Sequence, residues 1–326
     1  MEEKPHHITA GQEINDLKKI EILKDVIPWL FGNGESMIFK KGYTFYDMQK
    51  EHPSWNAEEA VYGINRLLGL LERKTEVLHD LGTDCGRLLY FPADHRKSDV
   101  PVLLASGGGY YCVGSMTESM PVAARLNELG YDAFCLNYKT GGIGILPQAM
   151  EDMAAAVRFL SENTGKYGFL PGKYIAAGFS AGGHLTGMWG TERGWKKYGL
   201  PKPETIWLSY PLVNGDIGAC AGKSSAWIMR RMMFGLKGGK TQTAEWSLDK
   251  KIEASYPDTF LSMAKDDDMI PQQHYEDLKN ALKRDRIRHH VLHVERGGHG
   301  YGLGDSTDAA GWVGAALAFT KGKEEA

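Results

Sequence analysis

A serine hydroxyl is a poor nucleophile near neutral pH, and it gains reactivity only where a neighbouring base can take its proton. Ser180 is placed for such chemistry. It stands in Gly178-Phe179-Ser180-Ala181-Gly182, a G-x-S-x-G spacing that follows the β-rich run Tyr174-Ile175-Ala176-Ala177 and opens a helix from Ala181. A turn this sharp strains the serine backbone and brings the residues two positions to either side into collision, which glycine relieves. The plainer alternative is a glycine-rich strand end whose serine caps the next helix. The strand, turn and helix around the motif favour the nucleophile.

Such a serine needs a base, and the base needs a partner that fixes its tautomer. In the chain order typical of this elbow the acid precedes the histidine, and both follow the ends of later strands. Of eleven histidines, His299 lies in the flexible loop Arg296-Gly297-Gly298-His299-Gly300, just past an expected strand. His289, His290 and His293 fall within that strand, and His184 reads as a packing or helix-capping residue. Before the strand, Asp266, Asp267 and Asp268 offer three adjacent carboxylates. Residue chemistry alone does not separate them, and Asp268 would also suit the start of a helix near Pro271.

Attack on a carbonyl builds negative charge on its oxygen, so backbone N–H groups must already point there. Ala181 supplies one. The loop Ser106-Gly107-Gly108-Gly109-Tyr110, after another expected strand, fits as the source of the rest, because glycines let the backbone approach a substrate. As a phosphate loop it fails, with neither G-x-x-x-x-G-K-[ST] nor a complete dinucleotide fingerprint. H-E-x-x-H and C-x-x-C are also missing, so neither a metal nor a cofactor is expected.

These residues require a scaffold, and the spacing of apolar residues predicts one. From residue 86 onward, strands alternate with helices: 101–106 before a helix at 120–129, 131–138 before 150–162, and 174–180 before a helix from 181. Then come 205–211, 259–264 with a helix at 271–284, and 288–294 with a last helix at 307–319. That alternation is the mark of an α/β chain, a mainly parallel sheet with helices on both faces. Residues 1–80 show no strong strand. Ala57, Ala60, Val61, Ile64, Leu67, Leu68 and Leu71 recur at helical spacing, so a helical N-terminal extension is expected to pack on a main unit, 81–326. It should lie near the mouth of the active site. The segment at about 213–251, with Trp227, Trp246 and the run from Met229 to Phe234, reads as a cap-like insertion.

The 326 residues are 42% hydrophobic and 24% charged, ample for a large core. With 38 Lys and Arg against 41 Asp and Glu, net charge −3, there is no basic stripe for nucleic acid. Small molecules or neutral polymers are the expected partners. No run reaches a membrane span, and residues 1–10 lack the pattern of an export signal, so a cytoplasmic location is expected. Cys85, Cys112, Cys135 and Cys220 are too sparse for a disulfide framework and read as buried thiols. Oligomeric state is left open.

From Gly107-Gly108-Gly109-Tyr110, Leu129-Gly130-Tyr131-Asp132, Gly178-Phe179-Ser180-Ala181-Gly182-Gly183-His184, Trp246-Ser247-Leu248 and Gly298-His299-Gly300, the chain resembles the α/β-hydrolase superfamily over about 86–319. Within it, the resemblance is to serine carboxylesterases of the acetyl-xylan or feruloyl esterase-like and hormone-sensitive-lipase-like kind. It implies an α/β-hydrolase fold. In that family the acid sits in D-x-x-[VI]-P, which selects Asp267, with Asp266 as the alternative. The oxyanion hole is implied at Gly108, Gly109 and Ala181. Ser106 departs from the Pro or His usual before the triple glycine, and Lys139 stands where many relatives have arginine. Short-acyl esters of carbohydrates or small molecules are the implied substrates, with Tyr110 and Tyr111 as aromatic contacts. The alternatives are a non-catalytic binder on a hydrolase scaffold, or a serine peptidase of the same fold.

Overall fold

The computed structural model describes residues 6–215, 227, 230–235 and 240–322. Its strands are β1 (Leu78–Asp80), β2 (Arg87–Phe91), β3 (Val102–Ala105), β4 (Ala133–Asn137), β5 (Ile175–Phe179), β6 (Thr205–Ser209), β7 (Asp258–Ala264) and β8 (His289–Val294). They form one sheet in the order β1-β2-β4-β3-β5-β6-β7-β8. From β4 to β8 every neighbouring pair is parallel. Every residue of β3, β4, β5 and β6 is buried, as a parallel sheet covered on both sides demands.

Two strands were not foreseen. β1 and β2 form an antiparallel edge; β1 is only three residues long and ends in exposed Asp80, too short for alternation to register.

Alternate side chains divide the interior in two. Leu103, Ala105, Phe134, Leu136, Ile206, Leu208 and Leu261 pack with the helices Leu146–Glu162, Ser180–Trp189 and Gln272–Arg284. On the other face, Leu104, Cys135, Ile175, Ala177, Trp207 and Phe260 pack with the helices Ser119–Leu129 and Trp312–Lys321. The last helix begins later than the expected residue 307, because the Thr307 hydroxyl closes a turn between Gly304 O and Ala309 N, and Gly311 then takes φ +81°. The helix at 272 starts behind Pro271 without a side-chain cap, so exposed Asp268 does not cap it.

The N-terminal segment shares the second core. Asn56 Oδ1 accepts the amides of Glu58 and Glu59 and starts the helix Ala57–Glu72. Its buried Ile64, Leu67, Leu68 and Leu70 join the same apolar cluster as the sheet. A Cβ on Gly63 would lie 2.7 Å from Pro121 N, so only glycine lets this helix approach Ser119–Leu129 so closely. Of the expected insertion at about 213–251, residues 216–226, 228–229 and 236–239, Met229 among them, lie outside the described residues. Among the described residues, no helix is long and apolar enough to cross a membrane.

Candidate active site

β5 runs straight into the helix Ser180–Trp189, and Ser180 takes the turn at φ +49°. A left-handed non-glycine residue costs on the order of 1–3 kcal/mol and persists only where its surroundings over-determine it. Here they do. A Cβ on Gly182 would stand 2.1 Å from Ala105 O at the end of β3, and one on Gly178 would stand 2.4 Å from Gly182 O. The glycines of the motif are therefore set by the contact between two adjacent strands and the helix.

Ser180 Oγ lies 2.8 Å from His299 Nε2, and His299 Nδ1 lies 3.0 Å from Asp267 Oδ2. Asp267 follows β7, His299 follows β8, and the Asp267 side chain is fully buried. The carboxylate is well supplied with donors. Its Oδ1 accepts the amides of Met269 at 2.9 Å and Ile270 at 2.8 Å, and its Oδ2 also accepts the Tyr275 hydroxyl at 2.9 Å. Because Asp267 can only accept, His299 carries its proton on Nδ1 and presents the Nε2 lone pair to Ser180.

The neighbouring carboxylates do other things. Asp266 Oδ1 accepts the amides of Gly297 at 2.9 Å and Gly298 at 2.8 Å, holding the loop that carries the histidine. Asp268 is exposed.

The loop after β3 holds Gly108 at φ +119° and Gly109 at φ +61°. A Cβ on Gly107 would lie 2.7 Å from the Ser180 Cβ. Among the described residues the amides of Gly108 and Gly109 make no hydrogen bond, so they are free to receive a substrate oxygen together with Ala181 at the helix start. The Gly107 amide is not: it donates to Glu118 Oε2. Where Ser106 departs from the usual residue, its Oγ accepts the Ser119 amide at 3.1 Å and its carbonyl accepts the Tyr138 hydroxyl at 2.7 Å, anchoring the loop from both sides. At Lys139 it is the backbone that is held, its amide donating to buried Asp152.

Glu118 was not foreseen. It is the only charged residue between Asp99 and Arg125, a signal the sequence did carry. Burial pushes its carboxyl up to about 7, against the lowering pull of the Gly107 amide, of His299 and of the Tyr210 hydroxyl. Tyr210, itself at φ +38°, sets its ring edge-on to His299 with centroids 5.1 Å apart. Its hydroxyl accepts the Gly302 amide at 3.1 Å. A buried carboxyl and a buried phenol thus connect the loop beside Ser180 to the loop of His299.

Tyr110 corrects an expectation. Its side chain is fully buried, with its hydroxyl 2.7 Å from His184 Nδ1, so it gives a substrate no aromatic face. His184 Nε2 in turn lies 2.7 Å from Trp246 O, and burial pushes this histidine down to about 4. The neutral ring donates from Nε2 and accepts from Tyr110, a packing role. Tyr111 stands at the surface, 48% exposed.

Asp267→Asn, which leaves the imidazole with the wrong tautomer, should lower ester turnover by roughly 10³- to 10⁴-fold, while Asp266→Asn, still offering an oxygen to both glycine amides, should stay within about tenfold. Steady-state kinetics on one activated ester checks both. Glu118 binds its proton more tightly folded than unfolded, because its value rises from 4.5 to about 7, so its contribution to stability falls as pH rises through that window. Denaturant unfolding at pH 5 and pH 8 should therefore show a smaller loss of stability on alkalinisation in Glu118→Gln than in the parent.

Residues 88–202 match the BD-FAE family model. The endo-1,4-beta-xylanase B of Butyrivibrio fibrisolvens is 27% identical over 237 residues, covering 69% of this chain and 36% of that protein. Carboxylesterase NlhH of Mycobacterium tuberculosis is 30% identical over 120 residues, 36% of this chain and 37% of that protein. The chain thus spans little more than a third of the length of these two relatives. Among solved structures, the acetyl ester-xyloside bifunctional hydrolase of Caldicellulosiruptor lactoaceticus superposes with a TM-score of 0.62 at 23% identity, over 76% of this chain and 93% of that one. Taken with the sheet order, the likeness to this structure shows the α/β-hydrolase fold, and residues 88–202 carry the match to the BD-FAE family model.

Proposed function

We propose that the chain hydrolyses short-acyl carboxylic esters of carbohydrates or small molecules through an acyl-enzyme on Ser180. The observation that carries this reading is the unbroken run of hydrogen bonds from Ser180 through His299 to Asp267, beside two unengaged glycine amides.

In the first step His299 Nε2 takes the Ser180 proton as Oγ attacks the ester carbonyl. The carbonyl oxygen becomes an alkoxide, and the amides of Gly108, Gly109 and Ala181 receive its charge. Removing one such donor typically costs a factor of roughly 10²–10³ in rate. The tetrahedral centre collapses, the bond to the alcohol oxygen breaks, and His299 returns the proton to that oxygen. Water then attacks the acyl-serine with His299 again as base, releasing the acid and restoring the serine. Asp267 stabilises the imidazolium formed in each half, and its further donors, Met269, Ile270 and Tyr275, fix where that charge sits.

Short acyl groups are favoured because Ser180 is 9% exposed and the His299 side chain 8%, which leaves a narrow approach to the reacting atoms. A carbohydrate alcohol is supported by exposed Tyr111, two residues beyond Gly109, whose ring can stack on a sugar. The Butyrivibrio xylanase and the acetyl ester-xyloside hydrolase, both named for carbohydrate substrates, point the same way.

A p-nitrophenyl ester series from acetate to octanoate, run beside acetylated xylo- and manno-oligosaccharides, tests the proposal. The highest kcat/KM is expected on acetate, with release of acetate from at least one oligosaccharide. Ser180→Ala should fall by about 10⁴-fold or more while keeping its fold. Activity of Ser180→Ala within tenfold of the parent, or a folded parent that binds but cleaves no ester, would overturn it.

A further inference from the structure

The loop that carries His299 is built to be loose. Gly297, Gly298, Gly300, Gly302 and Gly304 surround the histidine, and four of them stand at positive φ between +58° and +86°. Such a backbone loses more entropy on ordering than any other, so the position of the imidazole depends on what ties the loop down.

Three acceptors do so. Asp266 takes the amides of Gly297 and Gly298, and the Tyr210 hydroxyl takes that of Gly302. The third comes from the N-terminal segment, ahead of the sheet. Glu59, in the first turn of the helix Ala57–Glu72, accepts the Leu303 amide through Oε2 at 3.0 Å and the Asp305 amide through Oε1 at 2.9 Å.

The local geometry explains how Glu59 comes to be available. An acidic residue at the third helical position usually reaches back to the amide of its own cap. Here the Asn56 side chain caps the helix, accepting the amides of Glu58 and Glu59, and the Glu59 carboxyl reaches across to the loop instead. It is 6% exposed. The same stretch adds contact: Asn56 Nδ2 donates to Ser306 Oγ at 3.0 Å. A Cβ on Gly298 would lie 2.4 Å from Ser54 Oγ, and one on Gly300 would lie 2.9 Å from the Trp55 indole nitrogen.

We infer that Glu59 is a positioning residue for the catalytic base, so that the N-terminal helix is a working part of the active site. The inference rests on His299 being the general base. Glu59 touches no reacting atom. It acts by holding Leu303 and Asp305, which with Asp266 and Tyr210 leaves the segment around His299 a single arrangement. Displacing a catalytic group by about 1 Å can cost on the order of 10²-fold in rate.

The experiment compares the full-length parent, Glu59→Gln and Leu67→Ala on p-nitrophenyl acetate, well below the melting temperature of each. Gln keeps the size but places an amide donor against one of the two N–H groups. Leu67, buried in the same helix, has its place in the core and makes no hydrogen bond to the loop. Glu59→Gln is expected to lose roughly 10- to 100-fold in kcat with KM within about threefold. Leu67→Ala should melt at a lower temperature yet keep kcat within about twofold. The downfield proton resonance of His299 Nδ1–H should broaden or vanish in Glu59→Gln and persist in Leu67→Ala. Parent-like kcat and resonance in Glu59→Gln would overturn the inference, as would an equal loss in Leu67→Ala, which would mean mere loosening of the helix. If Glu59→Gln does not fold, Glu59→Asp, one methylene shorter, gives the same comparison. These outcomes leave the role of Ser180 untouched, which Ser180→Ala decides separately.

Discussion

The constraint on which the site depends is the backbone of one residue. Ser180 must turn at φ +49° between β5 and its helix, and it can do so only because β3 and the helix meet at Gly182 with no room for a side chain. The strain is local. It is supported by strands buried along their whole length, the stiffest part of the fold. Once Oγ is fixed there, the rest is placed by adjacency in the sheet. The glycine loop follows β3, beside β5, while Asp267 and His299 follow β7 and β8 at the carboxyl ends of their strands, His299 meeting Ser180 and Asp267 meeting His299.

A second theme is how this site treats carboxyl groups. Asp267 has a fully buried side chain, yet both of its oxygens are met by donors, from His299, Tyr275, Met269 and Ile270. Glu118 and Glu59 are less well matched. Burial raises both, to about 7, which disfavours their charged forms. Both spend their hydrogen bonds on backbone amides of the two loops that must not move, which trades stability for placement. Natural active sites commonly hold such locally unfavourable groups.

What the sequence made legible follows from range. Ser180 and its glycines form a contiguous signal, and their strand, turn and helix are all local, so the elbow could be read directly. His299 was legible because glycines after a strand end mark a loop. Asp267 could be chosen from three neighbours only through resemblance, since it is the fold of the loop that turns Asp266 toward the glycine amides and Asp267 toward the imidazole. Tyr110 was misread as a substrate contact because its adjacency to Gly108 and Gly109 says nothing of its direction, which packing on Tyr138 and His184 decides. Glu59 and Tyr210 act over separations of 244 and 92 residues, and no local pattern encodes such pairings. The antiparallel strands were missed for a different reason: β1 is only three residues long, and β2, buried at Leu88, Leu89 and Phe91, does not alternate.

The central claim is that Ser180 becomes covalently acylated during turnover. Mixing the protein with p-nitrophenyl acetate, quenching in acid within the first turnovers and taking the intact mass, followed by peptide mapping, tests it directly. The account predicts a species heavier by one acetyl group, with the modification on Ser180 in the peptide spanning Gly178 to Gly183, decaying as substrate is exhausted. Ester hydrolysis at full rate with no acetyl on Ser180, or with acetyl on another residue whose removal stops turnover, would contradict it.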